Sequence, residues 1–147
     1  MTMKQIPQDI ISVTIPSNPK YLRAIRALVD EVTYEMGFSA QARSEVIQAA
    51  IEACTNVIKH SYEGNFHKKI ILILKELPDR LEVIIKDLGK KVHPARIRHR
   101  DLHDVKPGGL GVYIIKYSMD MVWYDMTPRK GTELKMVKFL KKAKHPR

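Results

Sequence analysis

The sequence predicts an α+β sandwich in which a mostly antiparallel sheet carries its helices on one side. The predicted elements follow the order strand, helix, helix, strand, strand, long loop, helix, strand, strand, which is not the pattern of a doubly wound sheet. Two strand-like runs are separated by only two residues, a spacing typical of an antiparallel hairpin. The last run alternates apolar residues with lysines, as expected when one face of a sheet is covered and the other is in water.

The chain begins with a predicted strand and a predicted helix. Residues 9–16, DIISVTIP, are rich in β-branched residues and end in proline. Ser17 or Asn18 can cap the helix that follows, and Pro19 suits a first helical position. Gly37 predicts the end of this helix. Its apolar residues recur at helical spacing and are Leu22, Ile25, Leu28, Val29, Val32 and Met36.

The second predicted helix begins at Ser39 and has a row of polar residues beside one broad apolar face. Glu45, Glu52, Asn56 and His60 follow one border of that face, where we expect half-buried side chains. Asn56 is unusual there, because an amide side chain competes with the helix backbone for hydrogen bonds. The apolar face consists of Val46, Ile47, Ala49, Ala50, Ile51, Ala53, Cys54, Val57 and Ile58.

The middle of the chain predicts a hairpin followed by a long surface segment. The runs IILILKEL and RLEVIIKD are joined by the turn residues Pro78 and Asp79. From Leu88 to Pro107 the sequence has two prolines, three histidines and many charges, but little apolar periodicity. Long loops of this kind in compact domains are often lids.

The last part of the chain predicts a glycine-rich turn, a helix and two strands. The segment GGLGVYIIKYS begins as a turn and continues as a helix through about Ser118. A strand containing Trp123 follows, and the turn TPRKG separates it from the final strand, TELKMVKFL. In that strand we expect Leu134 and Met136 to face the core and the lysines to form an outer row.

Length and composition predict one cytoplasmic domain that spans residues 1–147, with a core at about 10–140 and a short basic tail. The single cysteine, Cys54, cannot form an internal disulfide, which favours a reducing compartment. The first residues lack the apolar core of a secretion signal, and no stretch approaches the ~18 apolar residues of a membrane span. A formal net charge of +10 favours anionic partners.

Three short motifs carry the functional prediction. They are E-A-x-x-N with Glu52 and Asn56, D-L-G at residues 87–89 directly after a strand, and G-G-L-G at residues 108–111 at the start of a helix. In this order they resemble the nucleotide-binding boxes of the Bergerat-fold, histidine-kinase-like ATPases. The runs EACTNVIKHSY, GGLGVYII and GTELKMV are most similar to the bacterial anti-sigma-factor serine kinases of partner-switching systems, over roughly residues 10–140.

The resemblance implies a role for each motif in binding ATP and Mg²⁺. Glu52 matches the general base that takes a proton from the attacking hydroxyl, and Asn56 matches the amide that ligates magnesium. Asp87 matches the carboxylate that accepts a hydrogen bond from the adenine amino group, while Gly89 lets the backbone pass close to the base. Thr132 matches a hydroxyl near the adenine pocket.

The resemblance also implies a phosphate-binding segment at the start of the third helix, where backbone N–H groups and the helix dipole favour anions. This segment consists of Gly108, Gly109, Leu110 and Gly111. One position departs from the wider superfamily. Members of that superfamily have a second glycine two residues after the one that Gly89 matches, and this chain has Lys91 there. The corner that leads into the lid is therefore built differently.

The implied fold is the Bergerat two-layer sandwich with three main helices on one face of the sheet. The implied activity is that of an ATP-dependent serine kinase, which binds a sigma factor or similar regulator and transfers the γ-phosphoryl group to a serine of an anti-anti-sigma antagonist protein. Members of this family often dimerise through the sheet.

Two alternatives remain open. One is a non-catalytic nucleotide-binding module that sequesters a regulatory partner, against which Glu52 argues. The other is a basic nucleic-acid-binding domain, because the segment HPARIRHRDLHDVK and the tail KFLKKAKHPR are rich in positive charge. These segments lack interleaved aromatic residues, so a solvated basic surface explains them better.

Overall fold

The computed structural model describes residues 9–89 and 109–141, which contain five strands and three α-helices. The strands are β1 (Asp9–Pro16), β2 (Lys69–Leu77), β3 (Arg80–Lys86), β4 (Met121–Asp125) and β5 (Glu133–Phe139). The helices are α1 (Leu22–Met36), α2 (Ala40–Asn56) and α3 (Gly109–Ser118). The predicted order of elements is confirmed. Most of the predicted lid, including Lys91, lies outside the described residues.

The five strands form one sheet in the order β1-β2-β3-β5-β4, and every neighbouring pair is antiparallel. β2 and β3 form the predicted hairpin, with Leu77 opposite Arg80 across the two-residue turn. Farther along, Leu72 pairs with Ile85, so apolar side chains of the same face meet across the strands. The predicted fold class is therefore confirmed.

The helices cover one face of this sheet. Buried side chains of that face pack with buried side chains of α1 and α2 in one core. Burial of one valine, leucine, isoleucine or methionine side chain contributes about 1.5–3 kcal/mol. The core includes Leu72, Leu74, Val83, Ile85 and Met136 from the sheet and Ile25, Val29, Val46 and Ala50 from the helices. The opposite face carries none of the described helices and exposes Met121, Trp123 and Phe139.

The ends of the first two helices follow the predicted capping residues. The Asn18 side chain accepts a hydrogen bond from the Lys20 N–H at 3.0 Å and opens a single 3₁₀ turn before α1. Gly37, with φ of 89°, ends α1 in the left-handed conformation. Ser39 Oγ accepts from the Ala42 N–H at 3.1 Å and caps α2. No helix among the described residues is long and apolar enough to cross a membrane.

Lys138 is an exception to the predicted outer row of lysines. It shares the helix-facing side of β5 with Leu134 and Met136, because side chains two residues apart point to the same face. Only 8% of the residue is exposed. Its ammonium group donates a hydrogen bond to the Ser118 carbonyl oxygen at 2.5 Å and lies 3.6 Å from a carboxylate oxygen of Glu45. These two partners make a buried lysine tolerable.

Candidate functional site

Two other elements that carry predicted site residues contact α2 or its continuation. Beyond Asn56 the chain continues as a π-helical turn, Val57–Ser61, and this turn lies against the corner formed by Asp87–Gly89. α3 packs against α2, and Lys138 links Ser118 at the end of α3 to Glu45 near the start of α2. α3 is ten residues long, about 15 Å, so a helix that ends beside Glu45 and packs along α2 begins on the side of Asn56.

Glu52 and Asn56 lie one turn apart on α2 and are half-buried, as predicted. Neither side chain forms a hydrogen bond or an ion pair with another described residue. The adjacent Thr55 differs, because its hydroxyl donates to the Ile51 carbonyl oxygen at 2.8 Å. A carboxylate and an amide that no other described residue engages are available to a ligand.

Asp87 is a buried carboxylate in the corner after β3. It is 6% exposed, and one of its oxygens accepts a hydrogen bond from the Gly89 N–H at 2.9 Å. Burial raises the pKa of Asp87, while hydrogen bonds from the Gly89 backbone, the Ser61 side chain and the Thr132 backbone act in the opposite direction. A carboxylate offers about four acceptor positions, so Asp87 has capacity for a further donor.

Thr132 lies beside Asp87 and carries an unsatisfied hydroxyl. Its backbone carbonyl oxygen accepts from the Asp87 N–H at 3.1 Å, but its Oγ1 is buried without a hydrogen-bond partner in the described part of the chain. Buried hydroxyl groups in folded proteins are nearly always paired. A carboxylate and an unpaired hydroxyl side by side therefore fit a ligand with polar edges, such as a purine base.

Gly131 is a site residue that the sequence reasoning did not single out. Its φ is 77°, and a Cβ atom at this position would lie 1.7 Å from the Asp87 carbonyl oxygen. Only glycine allows the two backbones to approach so closely, so Gly131 sets the distance between Asp87 and Thr132. The available signal was the G-T pair just before the last strand.

Gly89 is required for a reason other than the predicted approach to the base. A Cβ atom there would lie 2.5 Å from the Ser61 carbonyl oxygen and 2.8 Å from the Tyr62 ring. The absent side chain thus lets the corner Asp87–Gly89 sit directly on the residues that follow α2. No described contact bears on an approach of Gly89 to a ligand.

α3 begins at Gly109, so Gly109, Leu110 and Gly111 form its first turn. The first four N–H groups of a helix have no partner within the helix, and the dipole makes this end attractive to anions. Gly108 lies outside the described residues.

Taken together, the site offers a buried acceptor and hydroxyl, a carboxylate and an amide one turn apart that have no partner among residues 9–89 and 109–141, and the amino end of a helix. These groups match the base, the metal-bound phosphates and the charge of a nucleotide. The roles predicted for Glu52, Asn56, Asp87 and Thr132 stay predictions. Sequence reasoning did not single out Gly131, Tyr62 and Lys138, which hold the surrounding backbone.

Comparison with known proteins gives a consistent family match. Residues 15–138 match the family described as the histidine kinase-like ATPase domain. The chain is 29% identical over 142 residues to the serine-protein kinase RsbW of Halalkalibacterium halodurans, with 91% of this chain and 85% of the relative covered. It is also 29% identical over 141 residues to the serine-protein kinase RsbW of Bacillus subtilis, covering 90% and 86% of the two chains.

A solved structure shares the fold. The crystal structure of the RsbU and RsbW domains of a Mycobacterium tuberculosis protein superposes with a TM-score of 0.66 at 15% sequence identity. The match covers 90% of this chain and 32% of that chain, so this chain spans about a third of the larger protein.

Proposed function

This chain belongs to the histidine kinase-like ATPase domain family, and from that premise we propose that it is an ATP-dependent protein serine kinase of the anti-sigma-factor type. The observation that carries the proposal is the free carboxylate of Glu52 one turn before the free amide of Asn56, on the helix whose continuation supports the Asp87 corner. A module that only held nucleotide would have no use for a disengaged carboxylate at this position. The similarity to serine-protein kinases supports serine as the acceptor.

Nucleotide binding divides between the two ends of the site. Asp87 accepts a hydrogen bond from the adenine amino group, and the Thr132 hydroxyl contacts the same edge of the base. Residues 108–111 receive the phosphates on the free N–H groups that open α3. Asn56 supplies an oxygen ligand to Mg²⁺, a hard cation that takes oxygen ligands and keeps several waters.

Phosphoryl transfer depends mainly on positioning and electrostatics. Mg²⁺ held by Asn56 would neutralise charge on the phosphates. Glu52 accepts the proton of the attacking serine hydroxyl, the serine oxygen bonds to the γ-phosphorus, and the bond to the β–γ bridging oxygen breaks to leave ADP.

The proposed partners are a sigma factor or similar regulator and an antagonist protein that carries the acceptor serine. Because the proposed reaction uses ATP, we place the protein in the cytoplasm. We also propose that residues 1–147 act as one domain. The excess of basic residues suits an acidic partner surface. Nucleic acid is not proposed as a partner, because the two basic segments of the sequence lack interleaved aromatic residues.

We also propose a homodimer through the face of the sheet opposite the helices. Met121, Trp123 and Phe139 are each at least 40% exposed there, on neighbouring strands β4 and β5. Exposed aromatic and methionine side chains on one face are typical of interface cores. Trp123→Glu should convert a dimer into a monomer in sedimentation analysis, whereas Tyr34→Glu, at an exposed tyrosine of α1, should not.

The activity is tested with γ-labelled ATP and a candidate antagonist protein. Glu52→Gln should bind ATP like the wild-type chain but transfer label about 10²–10⁴-fold more slowly, the range for loss of a general base. Glu35→Gln, at an exposed position of α1, is the matched control and should transfer normally. ATP binding without any transfer by the wild-type chain would favour the sequestration module, and normal transfer by Glu52→Gln would show that Glu52 is not the base.

A further inference from the structure

We propose that Tyr62 is a positioning residue that holds the corner Asp87–Gly89 in place and thereby sets the preference for adenine. This inference rests on the proposed nucleotide site and adds a residue that touches the corner rather than the ligand. Tyr62 directly follows the π-helical turn Val57–Ser61, so it joins the helix of Glu52 and Asn56 to the base-binding corner.

The Tyr62 hydroxyl bridges the backbone of the corner Asp87–Gly89 and the backbone at the start of β2. It accepts a hydrogen bond from the Leu88 N–H at 2.9 Å and donates one to the carbonyl oxygen of Lys69, the first residue of β2. A tyrosine hydroxyl has one proton to donate, so the two bonds use it as both donor and acceptor. Burial raises the pKa of Tyr62; the hydrogen bond from the Leu88 N–H acts against this rise and the nearby Asp87 charge adds to it. Because the net change is a rise, the hydroxyl keeps the proton that it donates.

Apart from the hydrogen bond with Tyr62, Leu88 and Gly89 have few described contacts that hold them in place. The Leu88 side chain is 63% exposed, so it does not anchor the corner in the core. Gly89 rests against the Tyr62 ring and the Ser61 carbonyl oxygen with no space for a side chain. The hydrogen bond that the Leu88 N–H donates to the Tyr62 hydroxyl is therefore the described polar contact that fixes the peptide between Asp87 and Leu88.

The π-helical turn aims Tyr62 at this place. The Tyr62 N–H donates to the Val57 carbonyl oxygen at 2.9 Å, five residues earlier, which widens the helix at its end. Such single π turns are common at functional sites. In this chain the turn places the residues that follow α2 against the corner. The position of the Asp87 carboxylate is therefore tied to the helix that carries Glu52 and Asn56.

The first test needs no nucleotide. Amide hydrogen exchange is measured on the wild-type chain, on Tyr62→Phe, which keeps the ring and removes the hydroxyl, and on Tyr124→Phe as the control. Tyr124 is a half-buried tyrosine of β4 outside the site. The Leu88 amide should exchange about ten times faster in Tyr62→Phe and at the wild-type rate in Tyr124→Phe, because one hydrogen bond is lost. Unchanged Leu88 exchange in Tyr62→Phe would overturn the proposal.

The second test compares ATP with inosine triphosphate, which carries an oxygen in place of the adenine amino group. A correctly placed Asp87 acceptor should favour ATP, and the ratio of the two affinities should fall about five- to tenfold in Tyr62→Phe but not in Tyr124→Phe. A loss of stability alone would lower the affinities for both nucleotides equally and leave their ratio unchanged. A wild-type preference that persists in Tyr62→Phe would overturn this inference alone, whereas equal wild-type affinities would overturn the proposed adenine site together with it.

Discussion

The ammonium nitrogen of Lys138 lies 2.5 Å from the carbonyl oxygen of Ser118, the last residue of α3. Its second partner, Glu45, lies on α2 at 3.6 Å. A lysine of the sheet thus joins the two helices that carry the metal-binding and phosphate-binding residues of the proposed site. The carboxyl end of a helix favours a positive charge, so the same contact also stabilises α3.

Lys138→Met should lower the free energy of unfolding by about 1–3 kcal/mol, because a buried carbonyl oxygen and a carboxylate lose their donor while the aliphatic stem is kept. The measurement is urea denaturation of both chains. Lys116→Met, at an exposed position of α3, is the control and should stay within about 0.5 kcal/mol of the wild-type chain. Equal effects of the two substitutions would contradict a structural role for the buried ammonium group.

Gly131→Ala should be far more damaging than alanine at another glycine with positive φ. Gly37 has φ of 89° and nothing within 4 Å of an added Cβ, so Gly37→Ala should cost only the backbone strain of about 1–2 kcal/mol. At Gly131 the added Cβ also meets the Asp87 carbonyl oxygen at 1.7 Å, and one of the two backbone segments must move. We expect a total loss of about 3 kcal/mol or more and weaker ATP binding, measured by denaturation and calorimetry. Similar losses at the two glycines would refute the proposed close contact.

Much of the fold could be predicted because its signals are local. Asn18, Gly37 and Ser39 act on groups within a few residues, and the hairpin turn at Pro78 and Asp79 joins adjacent strands. These predictions did not depend on the rest of the chain. The motifs with Glu52, Asn56 and Asp87 were also visible, because they combine residue types that bind ligands with unusual positions in the elements.

What the sequence could not predict involves contacts between distant segments. Lys138 was expected in water, but its partners come from two helices that precede β5 in the chain. The need for glycine at position 131 arises from Asp87, in the corner after β3. Only the fold brings the Tyr62 hydroxyl to Leu88. Residue type alone does not specify such pairs.

Asp87→Asn should separate stability from nucleotide binding. Burial raises the pKa of Asp87 above its ordinary value of 3.8, so the folded chain binds this proton more tightly than the unfolded chain. The contribution of Asp87 to the free energy of unfolding therefore falls as the pH rises from 3.8 through the raised pKa of the folded chain. Asparagine has no charge to bury, so the free energy of unfolding of the Asp87→Asn chain should not show this part of the fall with rising pH.

The expected result for Asp87→Asn is a chain at least as stable as the wild type near neutral pH, with ATP affinity reduced by about tenfold or more because a charged acceptor is lost. Urea denaturation between about pH 4 and about pH 7 checks the stability, and calorimetric titration with ATP checks the binding. A variant that is less stable than the wild type across this range would mean that the hydrogen bonds to Asp87 outweigh its burial.

Asn56→Ala should remove the effect of Mg²⁺ on ATP binding without weakening the fold. Alanine is the better helix former, and the Asn56 side chain makes no hydrogen bond with a described residue, so the free energy of unfolding should not fall. ATP affinity without metal should match the wild type, because base and phosphate contacts remain. The gain in affinity on adding Mg²⁺ should shrink by at least about tenfold, an effect that loss of even a supporting group in a metal site can produce.

Thr55→Ala is the control, since the Thr55 hydroxyl is bonded within the helix and should not affect the metal. Wild-type ATP binding that ignores Mg²⁺, or a full Mg²⁺ response in Asn56→Ala, would exclude Asn56 as the ligand and leave Glu52 without a neighbouring metal.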